Sequence, residues 1–204
     1  MAAGLKGGRG TSPGVVAPVG EVRRPAYFNR LSGRAQRIYL ASEAIDRFDL
    51  VASHTALELS TTLIGALDSG APSTVQRTAQ ALLDELCRLT RLAGVQLQVR
   101  SVRPHNTKGE LHGIFYPRGT GRRDANPYEY SSASAGGPLI VLWMRTAQRH
   151  DVVKPKTFLR TLMHEFGHYL DYALLRLGDS PHTAGFFKRE SFLVRILNQS
   201  STQD

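Results

Sequence analysis

The residues that point most directly to chemistry are two histidines and a glutamate in one short segment, His164-Glu165-Phe166-Gly167-His168. Two histidines four positions apart lie on one face of an α-helix, where both imidazoles can bind the same metal ion. A glutamate next to the first histidine can take a proton from a water on that ion without binding the ion itself. The spacing therefore predicts a catalytic zinc site with His164 and His168 as ligands and Glu165 as the general base.

The side chains around the motif predict a helix with two distinct faces. The apolar residues between Phe158 and Leu174 recur at helical spacing and fall on one side. His164, His168 and Asp171 fall together on the other side. Packing against a core does not require such a polar cluster, so a metal site is favoured over an accidental match on a solvated helix.

The sequence offers three candidates for a third zinc ligand. Catalytic zinc usually takes three protein ligands and keeps its fourth position for water. We favour His182, which follows the helix after a turn and can fold back towards it. Glu190, about two turns further on, is an alternative that would make a His/His/Glu site. Asp171 is the third candidate, but its position suits it better to accept a hydrogen bond from a ligand histidine.

A site of this kind predicts the hydrolysis of peptide bonds. Zinc lowers the pKa of its bound water and polarises the carbonyl, and Glu165 takes the proton and later passes it to the leaving amine. The negative charge that develops on the carbonyl oxygen needs a donor in addition to the metal. The sequence names four candidates for that donor without choosing among them: Arg145, Tyr128, Tyr130 and Tyr169.

The segment HEFGHYLDYALLRLGDSPHTAGFFKRE, residues 164–190, resembles the metal-binding core of SprT-like zinc metallopeptidases. The resemblance covers about residues 138–197 and implies a zincin-like fold, zinc bound by His164, His168 and His182, and Glu165 as the base. It also implies protein or peptide substrates and, as in some members, action at DNA. The approach to the motif, TFLRTLMHEF, is similar to that of bacterial proteins of about this size.

The chain departs from this family pattern in two places. Family members often continue into a cysteine zinc ribbon, and this chain has the single cysteine Cys87, which we interpret as a core residue. The usual His-Gly-x-x-Phe continuation is replaced by HTAGF at residues 182–186. Both differences weaken the transfer of a substrate from the family.

The remaining patterns predict an α+β domain over residues 28–204, preceded by a disordered tail over residues 1–27. The domain should contain N-terminal helices, a small three-stranded sheet, the histidine helix and a C-terminal helix. We expect helices within 31–67 with a break near Asp49, then at about 73–92, 157–177 and 184–198, and strands at 95–102, 111–116 and 138–144. We expect Thr157 to be the N-cap of the histidine helix and Gly94 to stop the third helix.

Two segments have alternative interpretations. The strand at 138–144 is either a sheet edge that pairs with an extended peptide or a buried core strand. The loop at 117–137 contains three arginines and two tyrosines that can bind phosphate or stack on bases, but a solvated loop is the favoured alternative. The residues concerned are Arg118, Arg122, Arg123, Tyr128 and Tyr130.

Composition restricts the partners and the cellular location that we expect for the protein. The 204 residues carry 26 Lys and Arg against 17 Asp and Glu, a net charge of +9, which is compatible with DNA or another polyanion as a partner. No apolar run reaches the roughly 18–20 residues of a membrane-spanning helix, so we expect no membrane contact. The single cysteine excludes an internal disulfide, which fits a cytoplasmic location.

Two other functions compete with the peptidase. In a non-catalytic nucleic-acid-binding module, zinc would join the last two helices and the basic surface would bind DNA or RNA. A structural site has no need for Glu165, however, and usually has four protein ligands that are often thiolates. A zinc hydrolase of other amides is the third possibility.

Overall fold

A computed structural model of the chain describes residues 24–106, 109–117 and 137–198. These residues form a mixed α+β structure with five helices and a small three-stranded sheet, which confirms the α+β class and leaves the zincin-like fold a prediction. The helices are α1 (Gly33–Ala44), α2 (His54–Asp68), α3 (Pro72–Thr90), α4 (Pro155–Ala173) and α5 (Ala184–Leu197). The strands are β1 (Gln96–Val102), β2 (His105–Asn106), β3 (Gly109–Glu110), β4 (Gly113–Tyr116) and β5 (Leu139–Arg145).

The three-stranded sheet has the order β1-β5-β4, and β2 and β3 form a separate hairpin. The central strand β5 runs parallel to β1 and antiparallel to β4. Six of its seven residues are buried, which explains the nearly continuous apolar run in the sequence. The interpretation of segment 138–144 as a sheet edge is therefore wrong, because β5 has a neighbour on both sides.

Two backbone amides of the edge strand β1 donate to glutamine side chains of α3. The amide of Leu97 donates to Oε1 of Gln80 at 2.7 Å, and that of Val99 donates to Oε1 of Gln76 at 3.0 Å. The rise of one helical turn between the two glutamines is nearly the same as the rise of two strand residues between the two amides, so both hydrogen bonds can form together. These hydrogen bonds protect β1 from pairing with another chain. The opposite edge, β4, lies beside α4.

The main apolar core lies between the sheet and helices α2, α3, α4 and α5. The leucine stripe predicted on α3 packs into this core, with Leu82, Leu83 and Leu86 fully buried. Cys87 is also part of the core, 3% exposed, as expected from its position on that stripe. Each fully buried leucine stabilises the fold by about 1.5–3 kcal/mol relative to the same side chain exposed to water.

The ends of two helices differ from the sequence-based expectation. Helix α4 begins at Pro155 with Lys154 as its N-cap, because proline suits the first helical position and Thr157 already lies inside the helix. It ends at Ala173, four residues early, and the amide of Leu177 instead closes a turn on the carbonyl of Asp171. Helix α3 stops at Arg91, which adopts a left-handed conformation with φ 55°, before Gly94 is reached.

Some expectations concern residues that are not described. Residues 1–23 of the predicted tail and residues 118–136 of the arginine-rich loop, including Arg118, Arg122, Arg123, Tyr128 and Tyr130, lie outside the described residues. In the described part of the chain, no helix is both long and apolar enough to span a membrane.

Candidate metal centre

Three histidines from two elements meet at one point. His164 and His168 lie one turn apart on α4, and His182 lies in the linker just before α5. The Nε2 atoms of His164 and His168 are 3.3 Å apart, and each is 3.1 Å from Nε2 of His182. In the described ranges this is the one group of three or more possible ligands that could hold a metal ion. These are the three ligands that the sequence predicts.

The spacing of the three nitrogens fits a tetrahedral metal ion. Imidazole nitrogens bound to one zinc ion at about 2.0–2.1 Å in tetrahedral geometry lie about 3.3 Å from each other. The observed distances of 3.1 to 3.3 Å match this value. Imidazole also suits copper, iron and nickel, so the ligands alone do not select zinc.

Glu190 lies behind His164 and orients it. Its Oε2 is 2.8 Å from Nδ1 of His164, and its Oε1 accepts a hydrogen bond from Nε of Arg160 at 2.7 Å. A carboxylate only accepts hydrogen bonds, so Nδ1 of His164 carries a proton, and in the neutral imidazole Nε2 is the atom that presents a lone pair to the site. Glu190, the alternative third ligand of the sequence analysis, therefore contacts the outer nitrogen of His164 and not the point where the three Nε2 atoms meet.

Ser180 has the corresponding role for His168. Its Oγ lies 2.7 Å from Nδ1 of His168 and donates to Oδ2 of Asp171 at 3.0 Å. Because the hydroxyl gives its proton to Asp171, it accepts from His168, and Nε2 of His168 also presents a lone pair. Asp171, expected to accept a hydrogen bond from a ligand histidine, does so only through Ser180. Ser180 adopts φ 35°, a conformation that non-glycine residues seldom adopt.

Asp171 is held in turn by a buried arginine. Both oxygens of Asp171 accept from Arg189 of α5, at 3.1 and 2.9 Å, and these side chains are 0% and 1% exposed respectively. Arg189 also donates to the carbonyls of Ser42 and Ile45, at the end of α1. Hydrogen bonds therefore connect α1 to His168 through Arg189, Asp171 and Ser180.

Glu165 lies beside the histidines without a partner of its own. Its side chain is 6% exposed, and its carboxyl group makes no hydrogen bond to a described residue. Burial raises the pKa of Glu165 to about 7, against the lowering effect of His164. The carboxyl group fits because residue 113 is a glycine, since a Cβ there would lie 2.7 Å from Oε1 of Glu165.

The electrostatics of the site favour the neutral form of two of the three imidazoles, those of His168 and His182. Burial, followed by repulsion from His164 and His182, lowers the pKa of His168 to about 3. Burial and His164 also lower the pKa of His182. For His164, burial lowers the pKa, but the hydrogen bond to Glu190 and the charges of both nearby glutamates outweigh burial and raise it. His168 and His182 are therefore neutral at pH 7, the form that binds metals.

Two phenylalanines at the start of α5 fix the imidazole rings. Phe186 stacks on His168 with ring centroids 4.6 Å apart and meets His164 edge to face at 5.0 Å. Phe187 stacks on His182 at 5.8 Å. The linker and the first turn of α5 thus supply both the third histidine and the apolar walls behind the rings.

The three histidines face an open cleft of about 500 Å³. One wall is β4, from Gly113 to Phe115, and the other is the linker at 178–182. Glu165 and Tyr172 of α4 also line the cleft. The sequence analysis did not single out Tyr172, although its position four residues after His168 places both on one helical face.

Two of the predicted oxyanion donors, Tyr169 and Arg145, lie outside the cleft and donate hydrogen bonds to backbone carbonyls. The hydroxyl of Tyr169 donates to the carbonyl of Ala93 at 2.5 Å. The guanidinium of Arg145 donates to the carbonyls of His150 and Gly70, at 2.9 and 3.0 Å. Both are wrong as candidates, because neither side chain lines the cleft in front of the histidines. Tyr128 and Tyr130 lie outside the described residues.

Comparisons of the chain with protein-family models, with curated proteins and with solved structures found no match. The resemblance to SprT-like metallopeptidases consequently stays a prediction.

Proposed function

We propose that this chain is a zinc-dependent metallopeptidase in which His164, His168 and His182 hold the ion and Glu165 is the general base. The observation that carries the proposal is the convergence of three Nε2 atoms within 3.1 to 3.3 Å, with a buried glutamate on the same helix. The resemblance to SprT-like enzymes, and a cytoplasmic location, remain part of this proposal.

The ligand set favours a catalytic over a structural ion. Structural zinc prefers four protein ligands, often thiolates, whereas three ligands facing an open cleft leave one position free. The single cysteine, Cys87, is buried in the core. A bound zinc ion supplies Lewis acidity, which polarises a substrate carbonyl and acidifies water.

The chain's own residues then orient the groups and move the proton. Glu165, with no hydrogen bond to another described residue, takes one proton from water and delivers it to the nitrogen of the leaving amine. The pKa of this carboxyl, about 7, makes it both an acceptor and a donor near neutral pH, and a nearby dication would lower that value. Glu190 and Ser180 hold the two helical histidines in the tautomers that bind metal.

The position of β4 favours an extended peptide as the substrate. Among the described residues this strand forms one edge of the sheet, and it forms one wall of the cleft, with Gly113 next to Glu165. An extended chain can add to such an edge by backbone hydrogen bonds and pass its peptide group in front of the histidines. On the other edge strand, β1, the amides of Leu97 and Val99 already donate to glutamines of α3.

The test is proteolysis by the zinc-loaded protein. Wild type and a Glu165→Gln variant are incubated with unstructured protein substrates and with a mixed peptide library, and the products are identified by mass spectrometry. We expect new amino termini with wild type and none above background with the variant. Equal cleavage by both proteins, or hydrolysis of simple amides without any peptide cleavage, would contradict the proposal.

A further inference from the structure

Peptide hydrolysis places negative charge on the carbonyl oxygen, and a hydrogen-bond donor aimed at that oxygen accelerates the reaction. The side-chain donors on the described walls of the cleft are few. Three are the histidines, which bind the metal in the proposed function. Ser180 is committed, since its hydroxyl donates to Asp171. The remaining donor is Tyr172.

Tyr172 lies on the side of α4 that faces the cleft. It follows His168 by four residues, so the order His164, His168, Tyr172 forms one row along the cleft side of α4. Its ring is half-buried and meets Phe115 of β4 edge to face at 6.3 Å. This contact ties Tyr172 to the strand that would hold the substrate.

The hydroxyl of Tyr172 has no hydrogen-bond partner among the described residues. Tyr169, three positions earlier, differs in this respect because its hydroxyl binds the carbonyl of Ala93. A half-buried phenol usually finds a partner, so a free one in a cleft beside three histidines is available to a ligand.

We propose that Tyr172 is a catalytic residue that donates a hydrogen bond to the carbonyl oxygen of the scissile peptide as that oxygen gains negative charge. This assignment rests on the proposed peptidase function. The phenol keeps its proton throughout. Water supplies one hydroxyl group to the carbonyl carbon and one proton to the leaving nitrogen through Glu165, and the C–N bond breaks.

The test compares Tyr172→Phe with wild type and with Tyr169→Phe, which removes a hydroxyl from the same helix outside the cleft. We expect Tyr172→Phe to bind zinc as wild type does, with kcat reduced about 100- to 1,000-fold and KM changed little. A second readout needs no turnover: the Kd of a peptide phosphonate, whose tetrahedral anion imitates the charged oxygen, should rise by a similar factor. Tyr169→Phe should lose stability but keep kcat and the phosphonate Kd.

The outcomes separate this assignment from the peptidase proposal. If wild type binds zinc and cleaves peptides while Tyr172→Phe matches it within about twofold in kcat and phosphonate Kd, the assignment is wrong and the peptidase proposal stands. If Tyr172→Phe loses its zinc, the residue is structural and the assignment is again wrong. If wild type neither binds zinc nor cleaves peptides, both proposals fail.

Discussion

The Nδ1 atom of His164 lies 2.8 Å from Oε2 of Glu190, a side chain that comes from the next helix and is 3% exposed. This contact joins α4 to α5 at the candidate metal centre and, in the neutral ring, leaves the Nε2 lone pair of His164 directed at the other two histidines. The same carboxylate pairs with Arg160. Glu190 therefore contributes to the site by orienting His164, one of the three proposed ligands.

Glu190→Gln should weaken zinc binding by about 10- to 100-fold, because a neutral amide is a poorer acceptor for the Nδ1 proton. Competition with a chromogenic zinc chelator measures the affinity. Glu58→Gln on the exposed surface of α2 is the matched control and should leave the affinity unchanged. If Glu190→Gln abolishes zinc binding completely, as His164→Ala should, then Glu190 is itself a ligand and does not act by orienting His164.

Ser180→Ala should also weaken zinc binding, by about tenfold, because Nδ1 of His168 loses its acceptor. Serine and alanine are equally disfavoured at φ 35°, so this substitution isolates the hydroxyl from the backbone conformation. The zinc-free protein should lose about 1 kcal/mol in free energy of unfolding. A zinc affinity equal to that of wild type would show that the hydroxyl does not orient His168.

Gly113→Ala should reduce kcat while zinc stays bound. The added Cβ would lie 2.7 Å from Oε1 of Glu165 and 2.8 Å from Cδ2 of Leu142, so the base must move. The matched control is Gly65→Ala on α2, where a Cβ meets no atom within 4 Å. That variant should keep kcat and gain about 0.5–1 kcal/mol of stability, since alanine is favoured over glycine inside a helix. Unchanged turnover in Gly113→Ala would mean that Glu165 tolerates the shift or is not the base.

Arg189→Met should destabilise the fold by about 3–5 kcal/mol, because it leaves Asp171 buried without its cation. Arg195→Met, an exposed position on the same helix, is the control and should have little effect. Urea unfolding of the zinc-free proteins gives both values. A loss of less than about 1 kcal/mol for Arg189→Met would argue against the hydrogen-bonded connection between α1 and the site.

Local sequence is sufficient for the part of the site that a single helix determines. His164, Glu165 and His168 owe their arrangement to helical spacing, and His182 follows because a short linker must turn back after the helix ends. The alternation of apolar and polar residues likewise predicts β1, and the apolar run predicts β5. Tyr172 lies on the same helical face as the histidines and was open to the same reasoning.

The other parts of the site and of the sheet depend on tertiary contacts, which no local sequence pattern predicts. Gly113 matters only because β4 passes Glu165 at close range. Ser180 meets His168 through a left-handed turn, and Arg189 reaches Asp171 across the packing of two helices. The position of β5 in the centre of the sheet depends on strand order, which an apolar run alone does not reveal.

The most direct test of the central claim is the zinc content of the purified protein by elemental analysis. Wild type, His164→Ala, His182→Ala and Glu165→Gln are measured after loading and extensive dialysis. We predict one zinc per chain in wild type and in Glu165→Gln, and loss or severe weakening of binding in both histidine variants. A wild type that holds no zinc even after reconstitution, or histidine variants that hold it as wild type does, would contradict the account.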